Sequence, residues 1–224
     1  MVFQENNGLV VIEAENGQRT NGDTHNWLLK TTLPGYTGTS YLDTSLDIDL
    51  LVQTSTLTTS PSVQYPINFT TAATYTVWVR GYAPNAAGDS VYVGVGNDII
   101  EVTGFAPRQW TWAKLSLSGS PATLPIEASG TYSLNLWMRE DGLRIDRLLL
   151  TTDTTYIPVN IGPVETERLT DTTTLEQTID RTINYDYDNL YRLTSAAYST
   201  GESYAYEYDP VGNRLQQIID GDTT

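Results

Sequence analysis

The sequence predicts an all-β protein: an antiparallel β-sandwich of jelly-roll type over residues 1–151, a linker over 152–182, and a C-terminal hairpin segment over 183–224. Three observations carry this prediction. Apolar and polar residues alternate in short runs separated by turn clusters, and no run shows the 3.6-residue period of a helix. The composition is rich in Thr, Ser, Gly and Tyr, which suit strands and turns. Near the C-terminus one tyrosine-rich strand-and-turn pattern occurs twice.

The strands follow in order as "LVVIEAE", "PSVQYPINF", "TYTVWVRGYA", "DSVYVGVG", "WTWAKLSL", "TYSLNLWM" and "RIDRLLLT". Side chains alternate across a strand with period two, so each run assigns its own faces. In "YTVWVRGY", Tyr75, Val77 and Val79 turn inward and Trp78, Arg80 and Tyr82 outward. In "YSLNLWMR", Tyr132, Leu134, Leu136 and Met138 form the core phase, leaving Asn135, Trp137 and Arg139 outside. In "WTWAKLSL", Ala113, Leu115 and Leu117 are the apolar set, which turns out Trp110, Trp112 and Lys114. The Thr/Ser-rich stretch 52–62 reads as an exposed loop, and 152–182, with Pro, Gly and charge but no apolar face, as a linker. "VYVGVGN" is no nucleotide fingerprint, because no helix follows it.

In the tail, "YDYDNLYRL" at 185–193 returns as "YEYDPVGNRL" at 206–215. Tyrosines two apart share a strand face, and Asp-Pro-x-Gly-Asn is turn chemistry, so each copy is a strand followed by a tight turn. The pattern resembles the tyrosine-aspartate (YD) repeats of RHS and teneurin-like proteins, whose many copies wind into a β shell. The resemblance implies that the chain joins a larger YD-repeat protein. Two copies are too few for a shell and fit a hairpin, or a segment that frays without neighbours.

Composition excludes several functions. The formal charge is −15 with only two lysines, Lys30 and Lys114, which opposes binding to nucleic acid or anionic lipid. There is no cysteine, hence no disulfide or thiolate chemistry, and one histidine, His25, which removes His-pair metal sites. No apolar run approaches the ~18 residues of a membrane helix. The start, "MVFQENNGLVV", is not a signal peptide, so the expectation is a segment of a larger exported protein, extracellular or at the cell surface.

Glu13 and Glu15 stand two apart in "VVIEAENG" and so point to one strand face. Two such carboxylates repel unless a cation lies between them, and calcium takes oxygen ligands at about 2.4 Å. Asp146, in the final strand of the sandwich, is the third candidate, because first and last strands are often neighbours. On spacing alone the same carboxylates read as solvated edge residues, or as an acid–base pair of a glycosidase. Outward tryptophans on several strands, interleaved with Arg80, Lys114 and Arg139, suit a sugar, whose C–H face stacks on an aromatic ring while its hydroxyls meet planar polar groups. Alternatively the linker or the tail covers these rings.

"GLVVIEAEN", "QWTWAKLSLSG", "ASGTYSLNLWMREDG" and "LRIDRLLLT", in that order, resemble carbohydrate-binding modules of the family 6 and family 35 type over residues 8–153. The resemblance implies a structural calcium ion held by Glu13, Glu15, Asp146 and a carbonyl of loop 35–40, clipping first strand, loop and last strand together. It implies ligand contacts from Trp110, Trp112, Arg139, Glu140 and Asp141, with a second aromatic from Tyr36 and Tyr41 in "PGYTGTSYL"; strand phase adds Trp137. Where the family commonly places an Asn before the closing strand, this chain has Leu143-Arg144. The sequence thus predicts a non-catalytic module that binds a polysaccharide or cell-surface glycan and anchors a larger YD-repeat protein. The competing expectation is a structural module with no sugar ligand.

Overall fold

The computed structural model describes residues 1–44, 46–169 and 182–220. The chain divides into two compact units, Met1–Asp171 and Thr172–Thr224, and each is described by itself. In the first, the chain passes through β1 (Val2–Gln4), β2 (Leu9–Glu13), a 3-10 turn at Ala14–Asn16, β3 (Gln18–Thr20), β4 (Trp27–Lys30) and β5 (Tyr41–Thr44). A second 3-10 segment, Thr54–Thr59, precedes β6 (Ser62–Phe69), β7 (Ala73–Tyr82), β8 (Ser90–Val95) and β9 (Asp98–Thr103). Then come β10 (Trp110–Ala113), β11 (Thr123–Ile126), β12 (Gly130–Met138), β13 (Arg144–Thr151) and β14 (Arg168–Leu169).

These strands form a sandwich of two seven-stranded sheets. One runs β14-β1-β6-β12-β8-β9 with β3 beside β6; the other runs β10-β7-β13-β5-β4, with β11 on β7 and β2 on β13. Pairing is antiparallel except for β1 against β6. The inward phases meet as predicted: Val77, Val79, Leu134, Leu136 and Met138 are buried in one core with Tyr65, Phe69, Leu148 and Leu150. Phe69 packs edge-on against Tyr75 at 5.0 Å, and Tyr65 donates its hydroxyl to the Ala14 carbonyl at 2.7 Å.

Several local expectations are corrected. β10 ends at Ala113, and Leu115 and Leu117 are exposed instead of inward, because the chain turns where the Gly119 amide bonds the Ser116 carbonyl. The stretch 52–62 is not wholly exposed, since Val52 and Leu57 join the core.

The largest difference concerns the expected linker 152–182. Residues 153–167 form a strap on the outer face of the second sheet, while 170–181 lie outside the described residues. By register, Trp78, Leu149 and Val11 stand side by side on that outer face, and they are buried as a small cluster with Leu9, Trp112 and Tyr156 around them. The strap is fixed through its backbone and two side chains. The Asn160 carbonyl accepts from Trp112 Nε1 at 3.0 Å and the Ile161 carbonyl from Arg147 at 2.6 Å. Thr166 Oγ1 and Glu165 accept the amides of Val11 and Glu13 at 2.7 and 2.8 Å. The strap is invisible to periodicity because backbone groups and a few scattered side chains make its contacts while Ile157, Val159, Ile161 and Val164 face solvent.

The second unit is a four-stranded antiparallel sheet of β15 (Ile183–Tyr187), β16 (Leu193–Tyr198), β17 (Ser203–Tyr208) and β18 (Arg214–Asp220), so the repeat builds two hairpins instead of one. Its two motif turns are alike. Asp188 accepts from the Leu190 and Arg192 amides, and Asp209 from the Val211 and Asn213 amides, with Tyr191 and Gly212 in the left-handed region at φ 60° and 99°. Among the described residues no helix is long and apolar enough to cross a membrane.

Candidate functional site

Two sites predicted from the sequence are assembled side by side, around the loop that precedes β5. The first is the carboxylate cluster. Glu13 ends β2, but Glu15 lies in the 3-10 turn, so the two do not share one strand face as expected. They converge because the loop residues Thr37–Ser40 lie against both. Thr37 donates its hydroxyl to Glu13 at 2.7 Å and its amide to Asp146 at 2.7 Å, and the Thr39 amide bonds Glu15 at 2.7 Å. Asp146 arrives through a β-bulge: the β13 register against β7 shifts between Ile145 and Arg147, so Asp146 and Arg147 occupy a place where an unbroken strand has one residue. All three carboxylates are buried.

Two arginines sit in the cluster. Arg80 pairs with Asp146, and Arg147 with Glu13 at 3.1 Å. Burial pushes the Glu13 carboxyl up against the opposing effects of Thr37 and Arg147, and Asp146 and Glu15 push it further. Burial likewise raises Asp146 despite bonds from Thr37 and Arg80.

The donor set fits a hard cation, with only oxygen ligands and three acids against two arginines. Glu15 Oε2 is buried with no hydrogen-bond partner among the described residues, which marks unused acceptor capacity at this spot. Gly38, at φ 66°, leaves room that a Cβ would fill, for a side chain there would collide with Glu15 Oε1. The carboxylates do not close into a ready cage: among the described residues no group of three or more acids or histidines surrounds one point.

The second site is an aromatic cluster. Tyr36 and Tyr41 lie 5.5 Å apart between ring centroids, Tyr41 and Trp110 5.4 Å, and Trp110 and Tyr82 5.6 Å. Trp110 and Tyr82 are paired across β10 and β7, and Arg144 of β13 is Tyr82's partner on the other side, so the three share one outer face. The Trp110 ring is clamped. Its Nε1 donates to the Pro34 carbonyl at 3.0 Å, a Cβ on Gly35 would lie 2.9 Å from its Cδ1, and the Arg80 guanidinium stands 5.5 Å from its centroid. Its indole donor is used internally, so the ring offers a partner its carbon surface. Polar groups rim the cluster: Arg144 lies 5.5 Å from the Tyr82 centroid and pairs with Asp43 at 3.4 Å. Burial raises Asp43, with Arg144 and Lys30 opposing.

The predicted contacts separate on this frame. Tyr36 and Trp110 are half-buried members of the cluster, whereas Tyr41 is 1% exposed and supports the rings from beneath. Trp112 has the expected outward phase but lies under the strap, where a Cβ on Gly162 would be 2.8 Å from its Cζ2. Trp137 lies apart, on the other sheet opposite Tyr92, its ring against Gly94.

Arg139, Glu140 and Asp141 are engaged within the fold. Arg139 pairs with Glu140 at 2.9 Å, and Glu140 accepts the Asp89 amide at 3.0 Å. Asp141 is 2% exposed and accepts the amides of Ile48 and Leu50 at 2.6 and 3.0 Å, with His25 Nε2 at 3.3 Å. This hairpin therefore anchors two neighbouring loops. Sequence reasoning did not bring Tyr82, Arg144 and Asp43 to this cluster, although strand phase had already placed Tyr82 outside; pairing of β7 with both β10 and β13 was the missing information.

The sequence profile of the glycosyl hydrolase family 115 C-terminal domain matches residues 2–165. An uncharacterized protein, P23, of Formosa agariphila is 26% identical over 202 residues, covering 73% of this chain and 48% of that protein, so the chain spans about half the length of its curated relative. Among solved structures, a GH26-CBM35 β-(1,4)-mannanase of Podospora anserina aligns at 22% identity and TM-score 0.48, over 68% of this chain and 29% of that one. A family 35 carbohydrate binding module of Clostridium thermocellum aligns at 18% identity and TM-score 0.45, over 63% and 96%. With its profile running from β1 through the strap, the chain belongs to the glycosyl hydrolase family 115 C-terminal domain family.

Proposed function

We propose that the first unit is a non-catalytic carbohydrate-binding module whose ligand stacks on the Tyr36–Trp110–Tyr82 cluster. The observation that carries this reading is the cluster itself: aromatic rings from a loop and two strands held together at the surface, beside the Arg144–Asp43 pair. A pyranose needs that combination, an apolar face for its C–H groups and a donor–acceptor rim for its hydroxyls. Arg144 and Asp43 would orient the sugar, Tyr41 would support the stack, and Trp110, with its Nε1 already engaged, would act as a rigid floor. The test is retention of the full chain on a polysaccharide panel by affinity electrophoresis. Trp110→Ala and Tyr36→Ala abolish retention while the far-ultraviolet spectrum stays unchanged. Equal retention of both variants, or turnover of a polysaccharide by the chain, overturns the reading.

Calcium belongs to the same proposal. Glu13, Glu15 and Asp146 would hold it together with a carbonyl of loop 35–40, and it would supply the positive charge that lets buried acids sit together. Thr37 and the two arginines hold the loop against these acids. Thermal unfolding with excess calcium and then with chelator tests it, through a higher midpoint in calcium. Attachment of a larger YD-repeat protein to a glycan outside the cell is the biological role that the repeat in the tail supports. A structural role is favoured for one part of the surface only: Trp78 and Trp112, covered by the strap, are interior packing and not ligand platform.

A further inference from the structure

The loop between β4 and β5 serves both sites with successive residues. The Pro34 carbonyl holds Trp110, the Gly35 carbonyl accepts Arg80 Nη2 at 3.0 Å, and the Tyr36 ring packs on Tyr41. The next residues turn to the acids: Thr37 bonds Glu13 and Asp146, and the Thr39 and Ser40 amides bond Glu15. Nowhere along these seven residues is there a flexible spacer between aromatic duty and carboxylate duty. Arg80 ties the same two sites a second time. It is buried, pairs with Asp146 through Nη1, bonds the loop through Nη2, and stands 5.5 Å from the Trp110 ring. Its Nε is buried without a hydrogen-bond partner among the described residues, so the guanidinium bonds through Nη1 and Nη2.

We propose that Arg80 is a positioning residue that couples the carboxylate cluster to the aromatic platform, so that a divalent cation taken by the acids and the placement of Trp110 are thermodynamically linked. This rests on the cation reading of the acids. The physical basis is competition for one set of oxygens. Asp146 accepts Arg80 and Thr37, and any cation drawing on Asp146 changes what holds Arg80 and, through it, Trp110 and Gly35. Linkage is reciprocal, so a ligand bound on the platform changes cation affinity by the factor by which the cation changes that ligand's affinity. Calcium regulation of ligand binding thus follows from the loop's construction and requires no movement of the sandwich.

The experiment is calorimetric titration of calcium into the full, chelator-stripped chain, paired with tryptophan emission. Trp110→Ala and Arg80→Lys, neither of which removes a carboxylate, each change the calcium dissociation constant about fivefold or more, whereas Leu117→Ala on the exposed turn after β10 does not. Calcium also shifts the emission of the wild type, and Trp110→Phe removes most of that shift while the heat of calcium binding persists. Wild-type calcium affinity in both variants, or an emission shift undiminished in Trp110→Phe, overturns the coupling. Absence of binding heat in the wild type overturns the cation reading and the coupling together. Retention on a polysaccharide with no dependence on calcium leaves the sugar site standing and overturns the coupling alone. If Arg80→Lys does not fold, Thr37→Val, which removes the hydroxyl between Glu13 and Asp146, carries the test by altering Trp110 emission without added metal.

Discussion

Ending the chain at Thr151 instead of Leu169 should abolish stable folding of the first unit. Removal of the strap uncovers Val11, Trp78 and Leu149, of which Trp78 is the most exposed in the intact chain at 7%. Full burial of an aliphatic or aromatic side chain stabilises by about 1.5–3 kcal/mol. The strap covers only the outer surface of these three, so roughly half of that sum, about 3–4 kcal/mol, is a fair share. Among the hydrogen bonds lost are four from Trp112, Arg147 and the amides of Val11 and Glu13. Three of these donors then meet water, but Arg147 keeps its buried place beside Glu13 with less support, adding about 1–3 kcal/mol. The total, roughly 4–7 kcal/mol, equals much of the 5–15 kcal/mol by which a domain is ordinarily stable. Urea unfolding of chains 1–151 and 1–169, followed by tryptophan emission, checks it. A 1–151 chain that melts cooperatively within about 3 °C of the longer one would show that the strap is decoration, since ~4 kcal/mol corresponds to at least about 8 °C in a unit of this size.

Glu5 yields a pH dependence with a definite sign. Burial pushes its carboxyl up, but bonds from the Thr70 hydroxyl and the amides of Gly8, Thr70 and Thr71 outweigh this and hold it below 4.5. A depressed folded-state pKa means stability that is present above the unfolded value and lost as pH falls through the folded one. Glu5→Gln should therefore cost about 2–4 kcal/mol at pH 7, and the gap to wild type should shrink in melts below pH 4. Gly38→Ala forces a left-handed alanine against Glu15 and should lower stability by about 1–3 kcal/mol, read as a drop in melting temperature with and without calcium. Asp141→Asn should lower the melting temperature by several degrees (about 2 kcal/mol) by weakening the grip on Ile48 and Leu50, yet leave polysaccharide retention intact. Loss of retention there would restore the hairpin as a ligand contact.

Much of the sandwich was legible because burial of one face forces alternation, and "VWVRGY" and "LNLWM" each admit one phase only. Trp78, Arg80, Tyr82 and Trp137 stand outside the core phase as read. What failed had a common cause: partners distant in sequence. Leu115 and Leu117 obey the inward phase on paper, but the strand stops at Ala113 and beyond it only an isolated bridge from Leu115 to Thr103 remains. Asp141 looks like an exposed turn acid until Ile48 and Leu50, some ninety positions earlier, present their amides to it. Glu13 and Glu15 meet Asp146, but by way of a 3-10 turn and a bulge that leave no mark on hydrophobicity. The strap is the extreme case, for residues that bond through carbonyls can be of almost any type. In the tail, by contrast, the turn aspartates Asp188 and Asp209 act on residues two and four positions on, and local chemistry of that kind is readable directly.

The extra residue in β13 separates the chemistry of this protein from its architecture. Ile145 and Leu148 face the interior on either side of it, so excising Asp146 or Arg147 alone would return the strand to even spacing with both apolar neighbours still pointing home. One deleted codon would then strip the loop of its acid, or strip Glu13 and the strap of Arg147, while the apolar alternation of β13 stays in step. Single-residue insertions and losses at this point would change the buried charges beside the loop without shifting the apolar phase of the strand.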